Sequence, residues 1–366
     1  MKKHLFVLPL LVSSLLLGGC PSNLTTQTKI EFGSYQDTTL RVINHAKLDE
    51  MVTNYNSFIL VVSPEHQSCM CWHDFKNILE EYIQEEHMIV YEINYKDFFD
   101  IEGNQLTTHG IEIHASEETF TIFNEGKLVK HEIYNAKNSI FKQKQAFFKY
   151  MNEAIIKPNM YYIDLVKLDE LYQSGKEEVI YFSRSNCPDC QYVDKYFLKD
   201  YDFKDKTMYV VDCETIGVRE YDEHGSLTPT SQEEWAKFKE DYGMAKKYNE
   251  EMGYDAGYVP TFQLLKGNGE HYYSSILASS VYFNDSVSVI DDKYYITNTF
   301  YTEERCQVQP YLDSSNVLMN KELNENEVIS YEKDGVKKAA FNKPSAAIYH
   351  DPLLKAFLDY AFDKVA

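Results

Sequence analysis

The chain has 366 residues and a formal net charge of −21, with 57 acidic against 36 basic side chains. This charge argues against nucleic acids and anionic membrane headgroups as partners, because both are themselves negatively charged. The sequence is 44% hydrophobic and contains 30 Tyr and 21 Phe, which is enough apolar material for two folded domains at this length. Intrinsic disorder is therefore not expected for most of the chain.

The first twenty residues have the composition of an export signal. Lys2 and Lys3 precede an apolar run at 5–17, which is too short to span a bilayer comfortably. The run closes with Leu17-Gly18-Gly19-Cys20, which resembles the lipobox of bacterial lipoproteins. That resemblance implies removal of a signal peptide (1–19) and transfer of a diacylglyceryl group to Cys20. The alternative is an ordinary secretory signal with a chance cysteine.

Residues 20–35 are expected to form a lipidated tether. The stretch 21–28 is rich in Ser, Thr, Asn and Gln, and such a stretch buries too little apolar surface to fold. No second apolar run of spanning length follows in the sequence. We therefore expect an extracytoplasmic body that its lipid holds at the outer face of the cell membrane.

An internal repeat divides the rest of the chain. Residues 43–63 lie over 163–183 without gaps, at an offset of 120 residues (163 minus 43), and Lys47-Leu48-Asp49-Glu50 recurs as Lys167-Leu168-Asp169-Glu170. In each copy a short amphipathic helix leads into an apolar strand, a cysteine pair at the start of a second helix, and a second strand. The pattern predicts a βαβ unit in each copy.

Both copies continue in the same order. Hairpin strands are predicted from Thr119 and Thr261, and terminal helices near 139–156 and 352–365. Helix, strand, cysteine pair on a helix start, strand, helix, hairpin and terminal helix is an order that resembles the thioredoxin fold. The resemblance covers most of residues 40–366.

The fold class is therefore predicted as α/β, with tandem thioredoxin-like folds in which helices flank a central mixed β-sheet. The predicted domains are 36–157 and 158–366. The second is expected to carry two insertions, at about 214–252 and about 271–345. The first insertion contains a helix predicted to start at the capping-box pattern of Ser231, and the second contains a hairpin expected to turn at Asp334-Gly335.

Cys187-Pro188-Asp189-Cys190 is the candidate catalytic motif. At a helix start the first sulfur lies beside free N–H groups and the positive end of the helix dipole, which favours the thiolate. Cys187 is thus the expected nucleophile and Cys190 the resolving thiol. The charge of Asp189 should oppose thiolate formation, so we expect a lowered but not extreme pKa for Cys187. Zinc usually requires a second pair at this spacing, which is absent from the sequence, so we expect dithiol chemistry without a bound metal or other cofactor.

Val259-Pro260-Thr261 lies before a predicted strand and resembles the cis-proline loop of thioredoxins. The resemblance implies that Val259 offers its backbone to a bound substrate chain and that Pro260 packs beside the dithiol. With Pro188, these are the predicted substrate-binding residues. A chance proline in a turn is the alternative. Tyr181 stands where thioredoxins keep a buried acid, which leaves the handling of protons open.

The first copy has Cys69-Met70-Cys71 in place of the dithiol and Glu118 in place of Pro260. These changes predict a degenerate thioredoxin-like domain. A secondary redox role is one alternative, since a disulfide in this spacing is easily reduced. A soft-metal site for Cu(I) or Zn is another alternative, because His66 and His73 lie in the same segment as both cysteines.

Two cysteines remain outside these motifs. Cys213 and Cys306 are expected to be buried bystanders, although in an exported protein they could form a disulfide.

The first hypothesis is a membrane-anchored extracytoplasmic thiol-disulfide oxidoreductase. Its partners would be cysteine-containing exported proteins or a membrane redox partner. The second hypothesis is a catalytically weak binding or scaffold lipoprotein at the cell surface, which uses its acidic, Tyr-rich face or its β-rich insertion.

Overall fold

The computed structural model describes residues 27–67, 70–220, 222–224, 226–244, 259–266, 271–275, 287–297, 303 and 309–366. The predicted signal peptide, Cys20, Cys69, Cys306 and the second hairpin turn at 267–269 lie outside the described residues. Among the helices of the described ranges, none combines the length and the apolar character needed to cross a bilayer.

Two short strands, β1 (Thr28–Lys29) and β2 (Phe32–Ser34), precede the first copy. The first copy and its exit consist of β3 (Arg41–Val42), α1 (His45–Thr53), β4 (Phe58–Ser63), α2 (Met70–Glu86), β5 (Val90–Asn94), β6 (Thr119–Asn124), β7 (Lys127–Ile133), α3 (Lys144–Ala154) and β8 (Ile155–Ile156). Its five-stranded sheet has the order β3-β5-β4-β6-β7, with β3, β4 and β5 parallel and the hairpin strands antiparallel.

The second copy begins with β9 (Met160–Tyr162), and its next elements are α4 (Leu165–Gln173), β10 (Glu177–Ser183), α5 (Pro188–Tyr196), β11 (Met208–Asp212), α6 (Pro229–Asp241), β12 (Thr261–Lys266) and β13 (His271–Ser275). After the insertion the chain ends with α7 (Lys343–Tyr349) and α8 (Asp351–Phe362). The strands follow the order β13-β12-β10-β11-β9, as in the first copy, with β2 added at the β9 edge. The prediction of tandem thioredoxin-like folds is confirmed.

Matching helix caps reflect the repeat. The side chain of Asn44 accepts a hydrogen bond from the backbone N–H of Lys47 at 2.9 Å, and Asp164 accepts one from Lys167 at 2.8 Å. Each interaction satisfies one of the free N–H groups at a helix N-terminus. The repeated helices α1 and α4 therefore begin at equivalent residues, 120 positions apart.

The central strands are covered on both faces. All six residues of β4 are buried. Ile59 and Val61 pack into a core with α2 and α3, whereas Leu60 and Val62 pack into a second core with α1. In β10 the alternation is the same, with Val179 and Tyr181 facing one core and Ile180 and Phe182 the other. The near-continuous apolar character of these strands follows from this double coverage.

In the first insertion of the second copy, the predicted start of the helix is wrong. The helix α6 is capped by Thr228, which accepts a hydrogen bond from the N–H of Ser231, so the helix starts before the predicted Ser231. Pro229 occupies the first turn, where its fixed φ suits a helix and no N–H is needed.

In its described residues, the second insertion contains two small antiparallel sheets. The strands β14 (Val287–Ile290), β15 (Lys293–Ile296) and β16 (Glu322–Leu323) form one sheet. The strands β17 (Val328–Lys333) and β18 (Val336–Phe341) form the hairpin that turns at Asp334-Gly335 as predicted.

The prediction of a tether over 20–35 is wrong at its C-terminal end, where the chain forms β1 and β2. The strand β1 pairs with β8, and β2 pairs in parallel with β9. Gly33 of β2 also forms a bridge to Met88 of the first copy, and the N–H of Ser34 donates to the carbonyl of His87 at 2.7 Å. Residues 28–29 and 32–34 of the predicted tether form strands because both copies provide partners for their backbone hydrogen bonds.

Replacement of Gly33 with alanine should destabilise the protein. A Cβ at this position would lie 2.5 Å from the carbonyl oxygen of His87 and 2.5 Å from the ring of Tyr161. Overpacking of this kind costs about 1–3 kcal/mol, and we expect a loss of that size in urea unfolding. Alanine at the exposed Glu102 is the control and should have no comparable effect. Equal stability of G33A and the parent would contradict the packing of β2 between the two copies.

Candidate active site

The candidate motif is placed by the turn between β10 and α5. The N–H of Cys187 donates to the carbonyl of Arg184 at 3.0 Å, and the carbonyl of Cys187 accepts the first hydrogen bond of the helix, from Gln191, at 3.0 Å. Cys187 is the N-cap of α5, and Pro188 is its exposed first residue. The predicted position of the dithiol at a helix start is confirmed.

The sulfur of Cys187 lies against the predicted substrate loop. Its Sγ is 3.6 Å from the carbonyl oxygen of Val259, and the bond between Val259 and Pro260 is cis. Thr261, the next residue, pairs with Phe182 at the end of β10. The loop is therefore held beside the motif by the sheet, and the prediction of a cis-proline at Pro260 is confirmed.

The pKa of the Cys187 thiol is lowered to about 6. The largest cause is a hydrogen bond from the thiol of Cys190, and the backbone N–H groups of Cys190 and Asp189 and the charge of Arg184 act in the same direction, against desolvation. The predicted direction is confirmed, but its main source is the second thiol. Asp189 lowers the pKa through its N–H group, which offsets the opposing effect that we expected from its charge.

Cys190 has the opposite environment. It is fully buried, whereas Cys187 retains 6% of its surface. Burial raises the pKa of Cys190 well above its ordinary value, and the hydrogen bond and charge of Cys187 and the charge of Asp194 add to this effect. The two thiols are therefore clearly separated, with a thiolate favoured at Cys187 and a thiol at Cys190.

A buried acid near the dithiol was missed in the sequence. Asp194 lies one turn after Cys190 on α5 and interacts with the hydroxyl of Tyr181. The residue is only partly buried as a whole, but its Oδ1 is buried and has no other hydrogen-bond partner of ordinary geometry among the described residues. Burial is the largest cause that raises the pKa of Asp194, to about 7. The four-residue spacing from Cys190 is the signal that could have identified it.

Asp194 also lines a cleft between the two copies. The cleft has a volume of about 840 Å³, and Ser185, Gln191 and Asp194 contribute to its wall from the second copy. Lys47 of α1 lines it from the first copy. The charge of Glu31, another lining residue, adds to the raised pKa of Asp194. The carboxyl group of Asp194 is therefore largely surrounded by protein atoms, but it also borders the open volume of the cleft.

The equivalent position in the first copy has different chemistry. Val62 pairs with Thr119 as Phe182 pairs with Thr261, so Glu118 occupies the sheet position of Pro260. Glu118 is fully buried, neither carboxylate oxygen has a hydrogen-bond partner in the ranges described, and burial raises its pKa to about 7. The loss of the proline is thus accompanied by a buried acid.

The cysteine segment of the first copy is described only in part. Cys71 is disulfide-bonded, and a sulfur in a disulfide is not a thiolate ligand. His66 and His73 are exposed and belong to no potential metal cluster among the described residues. With Cys69 outside those residues, a redox or metal role for this segment stays a prediction.

Cys213 is a free, fully buried thiol at the end of β11. Burial raises its pKa, which disfavours the reactive thiolate form. The expectation of a buried bystander is confirmed, and the alternative of a disulfide at Cys213 is wrong for this structure.

No protein-family profile matches the chain, and no curated protein is similar to it. Solved structures with similar parts include human ERp44 (9% identity, TM-score 0.28, 49% of this chain and 44% of that one), the bb fragment of ERp72 (11%, 0.28, 64% and 88%) and ERdj5 (12%, 0.25, 66% and 28%). The chain spans less than half the length of the ERp44 and ERdj5 structures. At these values the similarity carries no inference about function, and the thioredoxin-like fold rests on the strand order and connectivity of the chain itself.

The asymmetry of the two thiols can be measured by titration. In the reduced protein, the alkylation rate of Cys187 by iodoacetamide should rise through a pH of about 6, because only the thiolate reacts. In C190A this midpoint should move toward the ordinary value, since the main hydrogen bond to the thiolate is lost. The C187S variant should show no transition in this range. A midpoint at the ordinary cysteine value in the parent protein would contradict the assigned environment.

Proposed function

We propose that this protein is a thiol-disulfide oxidoreductase that acts outside the cytoplasm on the cysteines of exported proteins. The observation that carries the proposal is the 3.6 Å approach of the Cys187 sulfur to the carbonyl of Val259, next to the cis-proline Pro260. This geometry places a readily ionised sulfur beside a backbone segment that can bind an extended client chain.

The exchange has two steps. The Cys187 thiolate attacks one sulfur of a client disulfide, so that a mixed disulfide forms and the second client sulfur leaves as a thiolate. Cys190 then loses its proton and attacks the sulfur of Cys187. The client leaves with both sulfurs reduced, and a Cys187–Cys190 disulfide remains. A partner dithiol, for which a membrane redox protein is the natural candidate, would reduce it again. The same steps in reverse would oxidise a client dithiol.

Asp194 is the group that we propose as proton acceptor for Cys190 in the second step. Its pKa of about 7 makes the carboxylate available near neutral pH, and its charge already acts on Cys190. The cleft gives the acid an open volume into which the proton can pass. Tyr181, which replaces the acid expected in the preceding strand, would orient the carboxyl through its hydroxyl.

The chain would be held at the outer face of the cell membrane by a lipid on Cys20. This part of the proposal rests on the lipobox-like sequence before Cys20 and on the apolar run at 5–17. It requires no nucleic acid and no bound cofactor, since the reactive group is the dithiol itself. Labelling of the full chain with a fatty-acid analogue during expression in a bacterium, compared with C20S, tests the anchor separately from the redox activity.

A binding role is the second candidate for the first copy. Its cysteine segment carries a disulfide-bonded Cys71, and its proline position carries Glu118. The copy also forms one wall of the cleft beside α5. It would contribute a surface for the client instead of a second reactive site.

Substitution of the three described free cysteines separates catalysis from folding. In reduction of a fluorescent peptide disulfide by the chain without its signal peptide, we expect C187S to lose more than about 99% of the rate, because Cys187 provides the nucleophile. C190S should accumulate a client mixed disulfide at Cys187, visible by mass spectrometry. C213S, at the buried bystander, is the matched control and should retain the parent rate. Equal rates in C187S and the parent would contradict the proposed oxidoreductase activity and favour the binding role.

The role of Asp194 is tested by the pH dependence of the second step. We expect D194N to form the mixed disulfide at the parent rate but to resolve it about 10²-fold more slowly, the lower end of the effect of a general base. The resolution rate of the parent should rise with pH through about 7, because the carboxylate must be unprotonated, and D194N should lose this rise. D200N, in an exposed residue of the same cleft, is the control. Identical resolution profiles in D194N and the parent would exclude the proton-transfer role.

A further inference from the structure

The connection between β5 and β6 of the first copy is unusually long and irregular. Apart from a single 3-10 turn at Tyr95–Phe98 it contains no helix or strand before Thr119, whereas α6 lies in the same connection of the second copy. Loops of this length are uncommon in compact domains unless they are functional. The loop is nevertheless ordered, and its Ile111 is buried in the core that contains α1.

Three side chains join this loop to α1. His45 Nδ1 lies 3.1 Å from one oxygen of Asp49, and His109 Nε2 of the loop lies 2.5 Å from the other. One nitrogen from each ring and an oxygen of the carboxylate are all within 4.8 Å of one another. The two rings are stacked with their centroids 6.2 Å apart. Two imidazoles therefore converge on a single carboxylate.

The hydrogen bond of the second ring nitrogen of His45 fixes the tautomer of the neutral ring. His45 Nε2 is 2.7 Å from the carbonyl oxygen of Thr107, which can only accept a hydrogen bond, so Nε2 carries a proton. In the neutral ring, Nδ1 then presents a lone pair to the negatively charged oxygen of Asp49. A cation or an additional proton between them is needed to make this contact favourable. Histidines that bind metal typically donate their second N–H to a backbone carbonyl in this way.

The repeat provides an internal comparison for the site. At the offset of 120 residues, Asp49 corresponds to Asp169 but His45 corresponds to Leu165, which packs against the core of the second copy. Asp169 accepts a hydrogen bond from the hydroxyl of Tyr242 at 2.7 Å. The fold of the helix therefore does not require an imidazole at this position, and the cluster is specific to the first copy.

We propose that His45, Asp49 and His109 form a site for a divalent transition metal ion, with Zn²⁺ as the ion that fits best. Two imidazole nitrogens and one carboxylate oxygen are a common zinc ligand set, whereas Mg²⁺ and Ca²⁺ prefer oxygen ligands alone. The side chains are 11%, 44% and 17% exposed, so an ion can enter and a water can complete its coordination. The bound ion would clamp the loop onto α1. This site shares no residue with the cysteine segment of the first copy.

Cobalt is the spectroscopic probe that tests the site without reliance on activity. We expect the full chain without its signal peptide to bind Co²⁺ with the weak visible bands of nitrogen and oxygen ligands, without the intense near-ultraviolet band of thiolate ligands, and to release it to Zn²⁺. H45L, which carries the residue of the second copy, should bind at least about tenfold more weakly, as should H109A. H114A, at another histidine of the same loop, is the control and should bind as the parent.

Hydrogen exchange gives a second and independent readout. On addition of Zn²⁺, amides of residues 99–118 should exchange more slowly in the parent and in H114A but not in H45L, while exchange in β4 and β5 reports that each variant is folded. Three results would overturn the proposal: Co²⁺ binding by H45L as tight as that of the parent, a dominant thiolate band, or hydrogen-exchange rates of the loop amides that do not change on addition of Zn²⁺. In those cases the three residues form a hydrogen-bonded contact only.

Discussion

The antiparallel pairing of β10 with β12 is the constraint on which the candidate site depends. The register that opposes Tyr181 to Phe262 stacks their rings at 4.4 Å in the core. The same register opposes Phe182 to Thr261 and so brings the carbonyl of Val259 to the sulfur of Cys187. A slip by one residue would turn every buried side chain of the strand toward the other face. Core packing and the geometry of the dithiol are therefore set by one register.

The electrostatics of the site follow from where each sulfur lies relative to the helix. Cys187 is the N-cap residue of α5, and the thiol of Cys190 with the N–H groups of Cys190 and Asp189 stabilises its thiolate, whereas Cys190 is fully buried one turn into the helix. Because the folded-state pKa of Cys187 is lowered from 9.0 to about 6, its ionisation stabilises the reduced fold fully only above about 9, and this stabilisation is lost as pH falls to about 6. Stabilisation of the dithiol form makes the corresponding disulfide a stronger oxidant.

The sequence repeat was sufficient to predict the fold because the buried strands and the helix starts are local features that recur at a fixed offset. The near-continuous apolar runs of β4 and β10 and the matched caps at Asn44 and Asp164 are such features. Cys187, Cys190 and Pro260 were identified from the sequence for the same reason, since the cysteines lie at a predicted helix start and the proline lies just before a predicted strand. Asp194 was missed because its importance arises only when α5 packs over Tyr181. The strand β2 was missed because its stabilisation comes from backbone partners 55 and 128 residues away along the chain, at Met88 and Tyr161.

The divergence of the two copies follows the same division between core and connection. Leu48 and Leu168 are both fully buried at equivalent positions of α1 and α4, so the packing of the helix on the sheet was retained. At the starts of strands and helices the copies differ: Pro260 before β12 corresponds to Glu118 before β6, and Leu165 at the start of α4 corresponds to His45 at the start of α1. Under the proposed function, a buried acid at the proline position removes the loop shape that a client chain would use beside a dithiol. Retention of the fold without the proline loop is the expected outcome when a duplicated domain is kept for its surfaces and connections. In the first copy, the long loop between β5 and β6 is where such a role would be located.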